Sequence, residues 1–192
     1  LGDMAGIDRQ PRLHGGKAGV GRGVPLHGRA LRVAPGGRRQ ILHESLGVRL
    51  VAEQPGHRLA KGVLPPLPSG PTNRVEIDLE RQVLMVVRGG ELKYVINTST
   101  ASGETYISRG QPAVAVTPTG TFTVGRTFRG SEVAPLGTLY SPRYFYGGYA
   151  VHGSGSIPAY PASHGCARVS NAAMDMIWDE DLMPVGSTVV VR

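Results

Sequence analysis

Residues 152–171 read HGSGSIPAYPASHGCARVSN, and everything beyond residue 70 can be taken as a frame for them. The stretch holds the chain's one cysteine, Cys166, and both histidines that lie outside the first 70 residues, His152 and His164. A thiol attacks only as thiolate, and free cysteine titrates near ~8.5, so a nucleophilic role needs a neighbouring base, a positive charge or oriented amides. His152 and His164 are candidate bases, Arg168 is a fixed positive charge just past the thiol, and Gly165 lets the backbone approach a substrate oxygen.

Working outward, Tyr149–His152 reads as a strand that presents His152, and residues 153–162 form a Gly- and Pro-containing loop that returns the chain to the thiol. Beyond Cys166, Ser170 or Asn171 caps a short helix with Ala173, Met174, Ile177 and Trp178 on one face. Residues 184–187 turn the chain into a β-branched closing strand, Thr188–Val191. Leu136–Tyr149 contains Tyr140, Tyr144, Phe145, Tyr146 and Tyr149, a cluster expected to be core and cleft wall.

The domain opens after PPLPSGP at 65–71, an extended linker because proline fixes φ and denies helix to the residue before it. Val75, Ile77 and Leu79 alternate with Glu76, Asp78 and Glu80, which predicts a strand with one wet face. Val83–Val87 and Leu92–Thr98 flank Gly89-Gly90 and predict a hairpin. From Thr98 to Gly120 the chain is rich in Ser, Thr, Gly and Pro and reads as a long surface loop. Thr121–Val124 has the branched and aromatic residues of a strand. The expected fold is mostly β, with one short helix after the cysteine, over residues 71–192.

Ser163-His164-Gly165-Cys166-x-Arg168, with His152-Gly153 before it and Asn171 after it, resembles the active-site signature of the L,D-transpeptidases, the YkuD-like family of cell-wall enzymes. The likeness extends to Thr117-Pro118-Thr119-Gly120-Thr121-Phe122 and to the Val75–Val87 opening. It implies a β-sandwich or barrel-like catalytic domain and a cofactor-free acyl transfer. Cys166 would take the acyl group of a peptidoglycan tetrapeptide stem, release D-alanine and pass the acyl group to an amine, giving 3-3 cross-links or anchoring a wall protein. His152 would be the base, its ring held by the backbone near Gly153. His164, Gly165 and the Cys166 amide would surround the oxyanion, with Ser163 and Tyr149 beside them. Arg168 and Asn171 would brace the loop or meet a substrate carboxylate. Carbapenem β-lactams are implied as inhibitors. Ala167 departs from the larger aliphatic residue usual at that position.

Residues 1–70 match nothing in that family. They carry 11 Lys and Arg against 4 Asp and Glu, which accounts for the whole net charge of +7, and they contain no aromatic residue. Such a segment is expected to be a disordered basic leader, a solvated tail or translated upstream sequence, since it has too little apolar surface to offset its ordering entropy. Only Gln40–Glu53 has the apolar density for one short helix or strand. The leader shows neither the apolar run of an export signal nor a transmembrane stretch, although the resemblance implies the cell envelope.

Four further readings stay open on the residues alone. The same thiol could serve an L,D-carboxypeptidase or hydrolase, or the domain could bind cell wall without reacting. The basic arm could bind nucleic acid, but it lacks the interleaved aromatics of a single-strand binder. His152, His164 and Cys166 also have the atom types of a zinc site, though no fourth His or Cys exists in the domain.

Overall fold

The computed structural model describes residues 41–45, 48–52, 67 and 69–192. In chain order the strands are β1 Ile41–Ser45, β2 Val48–Ala52, β3 Arg74–Asp78, β4 Val83–Arg88, β5 Glu91–Asn97, β6 Thr105–Ser108, β7 Gln111–Val114 and β8 Gly120–Thr123. They continue as β9 Arg126–Thr127, β10 Ser131–Ala134, β11 Gly137–Tyr146, β12 Tyr149–Ser154, β13 Ala167–Ser170 and, after the helix α1 at Asn171–Asp179, β14 Thr188–Val191.

The hairpin read from Gly89-Gly90 is β4–β5. Both glycines have positive φ, +61° and +79°, as a tight two-residue connection requires. Around it grows a seven-stranded sheet in the order β1-β2-β5-β4-β3-β14-β8. A second sheet runs β10-β11-β12-β13 with β9 on β11, and β6–β7 is a separate hairpin. Apolar residues of the two large sheets meet in one core: Ile77, Leu84, Val86 and Val189 from the first, Phe145, Val151, Ala167 and Val169 from the second. The helix adds Ala173, Met174 and Ile177 to this core, and Ser170 caps it by accepting from the Ala173 amide at 3.0 Å. The architecture is the expected mostly-β sandwich.

Two sheets packed face to face would leave β13 an open edge, but the continuation of β5 closes it. Ser99 and Arg168 exchange both backbone hydrogen bonds at 3.0 Å, and Ser102 donates to the Ser163 carbonyl at 2.9 Å. Residues 98–100 are buried in consequence. The region expected to be a surface loop, Thr98–Gly120, therefore begins as a buried seam between the sheets and continues as β6–β7. Polar composition there reflects side chains that bond the backbone, such as Thr98 Oγ1 donating to the Arg168 carbonyl and Ser99 Oγ to the Tyr160 carbonyl, both at 2.8 Å, rather than exposure to solvent.

The wet face expected for β3 is also absent. Glu76 and Asp78 are 1% and 2% exposed, because arginines of β3 itself, of the turn after it and just beyond β14 neutralise them. Arg74 and Arg192 bracket Glu76, with Arg192 Nε at 3.1 Å from Oε2, and Arg81 reaches Asp78 at 3.0 Å. A buried carboxylate without such partners would cost several kcal/mol. Strand β13 and the hairpin β6–β7 were not foreseen.

Gln40–Glu53 was expected to give at most one element, and two strands stand there, in a hairpin whose second member pairs in parallel with β5. Val48 is buried against Val83, Met85 and Val95 on the second face of the large sheet. The rest of the expected leader, residues 1–40, 46–47, 53–66 and 68, lies outside the described residues.

Candidate active site

The register of β12 against β13 delivers the site. These strands are parallel, with Val151 opposite Ala167 and His152 opposite Arg168. Side chains alternate across a sheet, so with Val151, Ala167 and Val169 in the core, His152, Cys166 and Arg168 project together from the other face. There they line a cleft of about 610 Å³. Its walls include Tyr140 and Tyr149 from the second sheet and Tyr106 from the β6–β7 hairpin.

His152 is buried, 5% exposed, and its Nδ1 lies 2.9 Å from the Gly153 carbonyl oxygen. A carbonyl can only accept, so Nδ1 carries the proton and donates, and Nε2 keeps its lone pair. Burial lowers the imidazole pKa, opposed by that backbone bond and reinforced by the Arg168 charge. Burial also pushes the Cys166 thiol up, against a hydrogen bond from the Ala150 backbone and the same Arg168 charge. Burial thus acts against the charged form of each group, while Arg168 favours the thiolate and the Gly153 bond the imidazolium. The half-buried sulfur is 3.8 Å from the Gly148 carbonyl oxygen, a weak contact.

The turn that carries the thiol is fixed by hydroxyls. Ser163 Oγ accepts from the Gly165 amide at 3.0 Å and donates to the Cys166 carbonyl at 2.6 Å. Thr117 Oγ1 donates to the Gly165 carbonyl at 2.8 Å. Gly165 itself has φ +154°, and a Cβ there would strike Tyr149 Cε1 at 2.6 Å and crowd the Val116 carbonyl at 3.1 Å. Gly153 is equally confined: a Cβ would meet Tyr140 at 2.6 Å and Asn171 Oδ1 at 2.7 Å.

His164 is exposed at the cleft and its ring packs on Tyr106, centroids 4.6 Å apart and tilted by 47°. Arg168 and Asn171 line the same cleft. Among its described lining residues Arg168 is the only Lys, Arg, Asp or Glu, so the cleft favours an anionic guest. All nine residues singled out from the sequence, from Tyr149 to Asn171, thus border one cavity. Tyr106 escaped the sequence reading because it is a lone aromatic in a polar stretch. No three described His, Cys, Asp or Glu side chains gather as metal ligands.

Residues 72–191 match the YkuD family model, described as the L,D-transpeptidase catalytic domain. Among solved structures, an L,D-transpeptidase from Xylanimonas cellulosilytica is 47% identical with a TM-score of 0.66, covering 68% of this chain and 65% of that one. Another, from Stackebrandtia nassauensis, is 20% identical with a TM-score of 0.52 over 66% of this chain and 58% of that one, a likeness of fold. The chain spans somewhat less than two thirds of the length of these two structures. No curated protein matches it. A family model that covers well over half the chain, on a β-sandwich whose cleft gathers the signature residues, assigns it: the chain belongs to the YkuD family of L,D-transpeptidase catalytic domains.

Proposed function

We propose that residues 71–192 form the catalytic unit of a peptidoglycan L,D-transpeptidase with Cys166 as nucleophile. The observation that carries this reading is the His152 ring, locked by its Nδ1 bond to Gly153 with Nε2 unprotonated, on the strand beside the thiol. As sulfur attacks the donor carbonyl, Nε2 takes the thiol proton, and the negative charge that builds on the carbonyl oxygen is met by the Cys166 amide, with His164 at the rim. Collapse expels D-alanine as its amine, which receives the proton from His152, and leaves a thioester on Cys166. An acceptor amine then attacks the thioester. Its proton returns through His152 to the sulfur, and a new amide bond leaves the site.

Transfer of the thiol proton to His152 supplies the thiolate that attacks, and Arg168 assists by opposing the upward shift of the thiol. Arg168 and Asn171 offer a donor carboxylate its electrostatic and hydrogen-bond partners. The family works in the cell envelope, which is the location proposed here; among the described residues no helix is long and apolar enough to cross a membrane. The acceptor is an amine in this reading, and water in its place would make the protein an L,D-carboxypeptidase.

Intact-protein mass spectrometry after incubation with a carbapenem tests the class and the nucleophile together. One drug-sized adduct mapped to Cys166 is expected, and a protein that stays unmodified removes the proposal. Analysis of products from a tetrapeptide stem, with and without an amine acceptor, separates transfer from hydrolysis.

A further inference from the structure

The hydroxyl of Thr117, 48 residues before Gly165, ties the loop carrying the thiol to the seam between the sheets. It is buried, 5% exposed, and it makes two hydrogen bonds: it lies 3.0 Å from the Ala101 amide and 2.8 Å from the Gly165 carbonyl. An amide can only donate, so the oxygen accepts from Ala101 and its one proton must go to Gly165. Ala101 follows Ser99, whose two backbone bonds to Arg168 of β13 join this segment to the second sheet, which makes the anchor part of the sandwich.

The direction of the Gly165 carbonyl decides the direction of the next amide. A trans peptide is planar, and its N–H points opposite to its C=O. With the carbonyl drawn toward buried Thr117, the Cys166 N–H faces the opposite way, toward the cleft that Gly165 and Cys166 line. The Gly165 amide has no such freedom, being committed to Ser163 Oγ. The Cys166 amide is therefore the loop's donor for charge developing on a bound carbonyl, and Thr117 aims it.

We infer that Thr117 is a positioning residue for acyl transfer, which sets the Cys166 amide against the developing oxyanion without touching substrate. The inference rests on the acyl-transfer reading above. It assigns a purpose to the first residue of the Thr117–Phe122 run that a plain turn before a strand would not need.

The experiment compares two reactions of the same thiol in the full-length protein. Acylation by a carbapenem builds an oxyanion; alkylation by iodoacetamide displaces iodide and builds none. Thr117→Val is expected to slow acylation about 10- to 100-fold, short of the roughly 10²- to 10³-fold of losing an oxyanion donor outright. Alkylation should stay within about two-fold, and Thr117→Ser should recover acylation, because the hydroxyl alone is the working group. Should the valine variant not fold, Thr117→Ala carries the same expectation. Acylation unchanged in the variants, alkylation falling in parallel with it, or a serine variant as slow as valine would each overturn the inference. Failure of the wild type to acylate would instead strike the reading beneath it.

Discussion

The ring edge of Tyr149 occupies the space a side chain on Gly165 would need, with Cε1 only 2.6 Å from where its Cβ would stand. The backbone that delivers the thiol thus runs tight against an aromatic wall of the cleft, in a φ of +154° that other residues rarely adopt. Gly165→Ala is expected to lower stability by about 1–3 kcal/mol and to depress acylation. The double variant with Tyr149→Ala should regain only part of the loss, since it relieves the clash and not the φ. Thermal melts with carbapenem acylation rates check both; a freely tolerated alanine would show the turn is less confined.

Cys166→Ala should abolish release of D-alanine from a tetrapeptide stem while leaving the melting temperature nearly unchanged. The sulfur is half-buried and makes only a weak contact, so little packing is lost. Residual cleavage by a folded variant would end the covalent mechanism.

The pH dependence follows from burial of His152. Its pKa in the fold is lowered from 6.5, so the neutral base survives to lower pH than an ordinary histidine would. The acid limb of kcat/KM should therefore lie below pH 6.5. Stability moves in the same sense: the unfolded chain binds a proton near pH 6.5 that the folded protein resists, so stability is lost as pH falls below that value. In alkylation, His152→Ala should slow the thiol at pH 6 to 7. His164→Ala should leave most thiol reactivity and reduce acylation. The opposite pattern would make His164 the base.

Arg168→Gln removes the charge that lowers both the thiol and the imidazole. The alkylation midpoint of Cys166 should rise, and the acid limb assigned to His152 should move up toward 6.5. The fold should persist, because Arg168 holds the Ser99 seam through its backbone. An anionic donor should lose more in KM than a neutral one, and equal losses would remove Arg168 from carboxylate recognition.

Truncation to residues 71–192 should leave a protein that still cleaves donor but melts earlier. It removes β2 from its ladder on β5 and Val48 from its contacts with Val83, Met85 and Val95. Burial of one valine is worth about 1.5–3 kcal/mol, and a loss of that order is expected in denaturant titration. A melt identical to the full chain would mean that the pairing adds nothing to stability.

The site was more legible in the sequence than the walls around it. Cys166, His164, Gly165 and Ser163 are consecutive, and the Gly89-Gly90 hairpin and the Ser170-capped helix carry local signals. Apart from the local hairpins β1–β2 and β6–β7, the differences concern partners that are distant in sequence. Alternation at Glu76 and Asp78 correctly reports a polar face, but Arg192, 116 residues from Glu76, is what lets that face be buried. In the same way Thr98–Thr100 look like loop residues until Ser163 and Arg168 supply their backbone partners. β13 is a strand because β12 and Ser99 lie on either side of it, and nothing within Ala167–Ser170 announces that.

The hairpin β6–β7 hydrogen-bonds to neither large sheet as a ladder, yet it contributes Tyr106 to the cleft beside His164. Admission to the cleft and assembly of the nucleophile are thus written in different parts of the chain. Mutations at the exposed positions of Thr105–Val114 should therefore reshape this wall of the cleft while the sandwich and its thiol stay as they are.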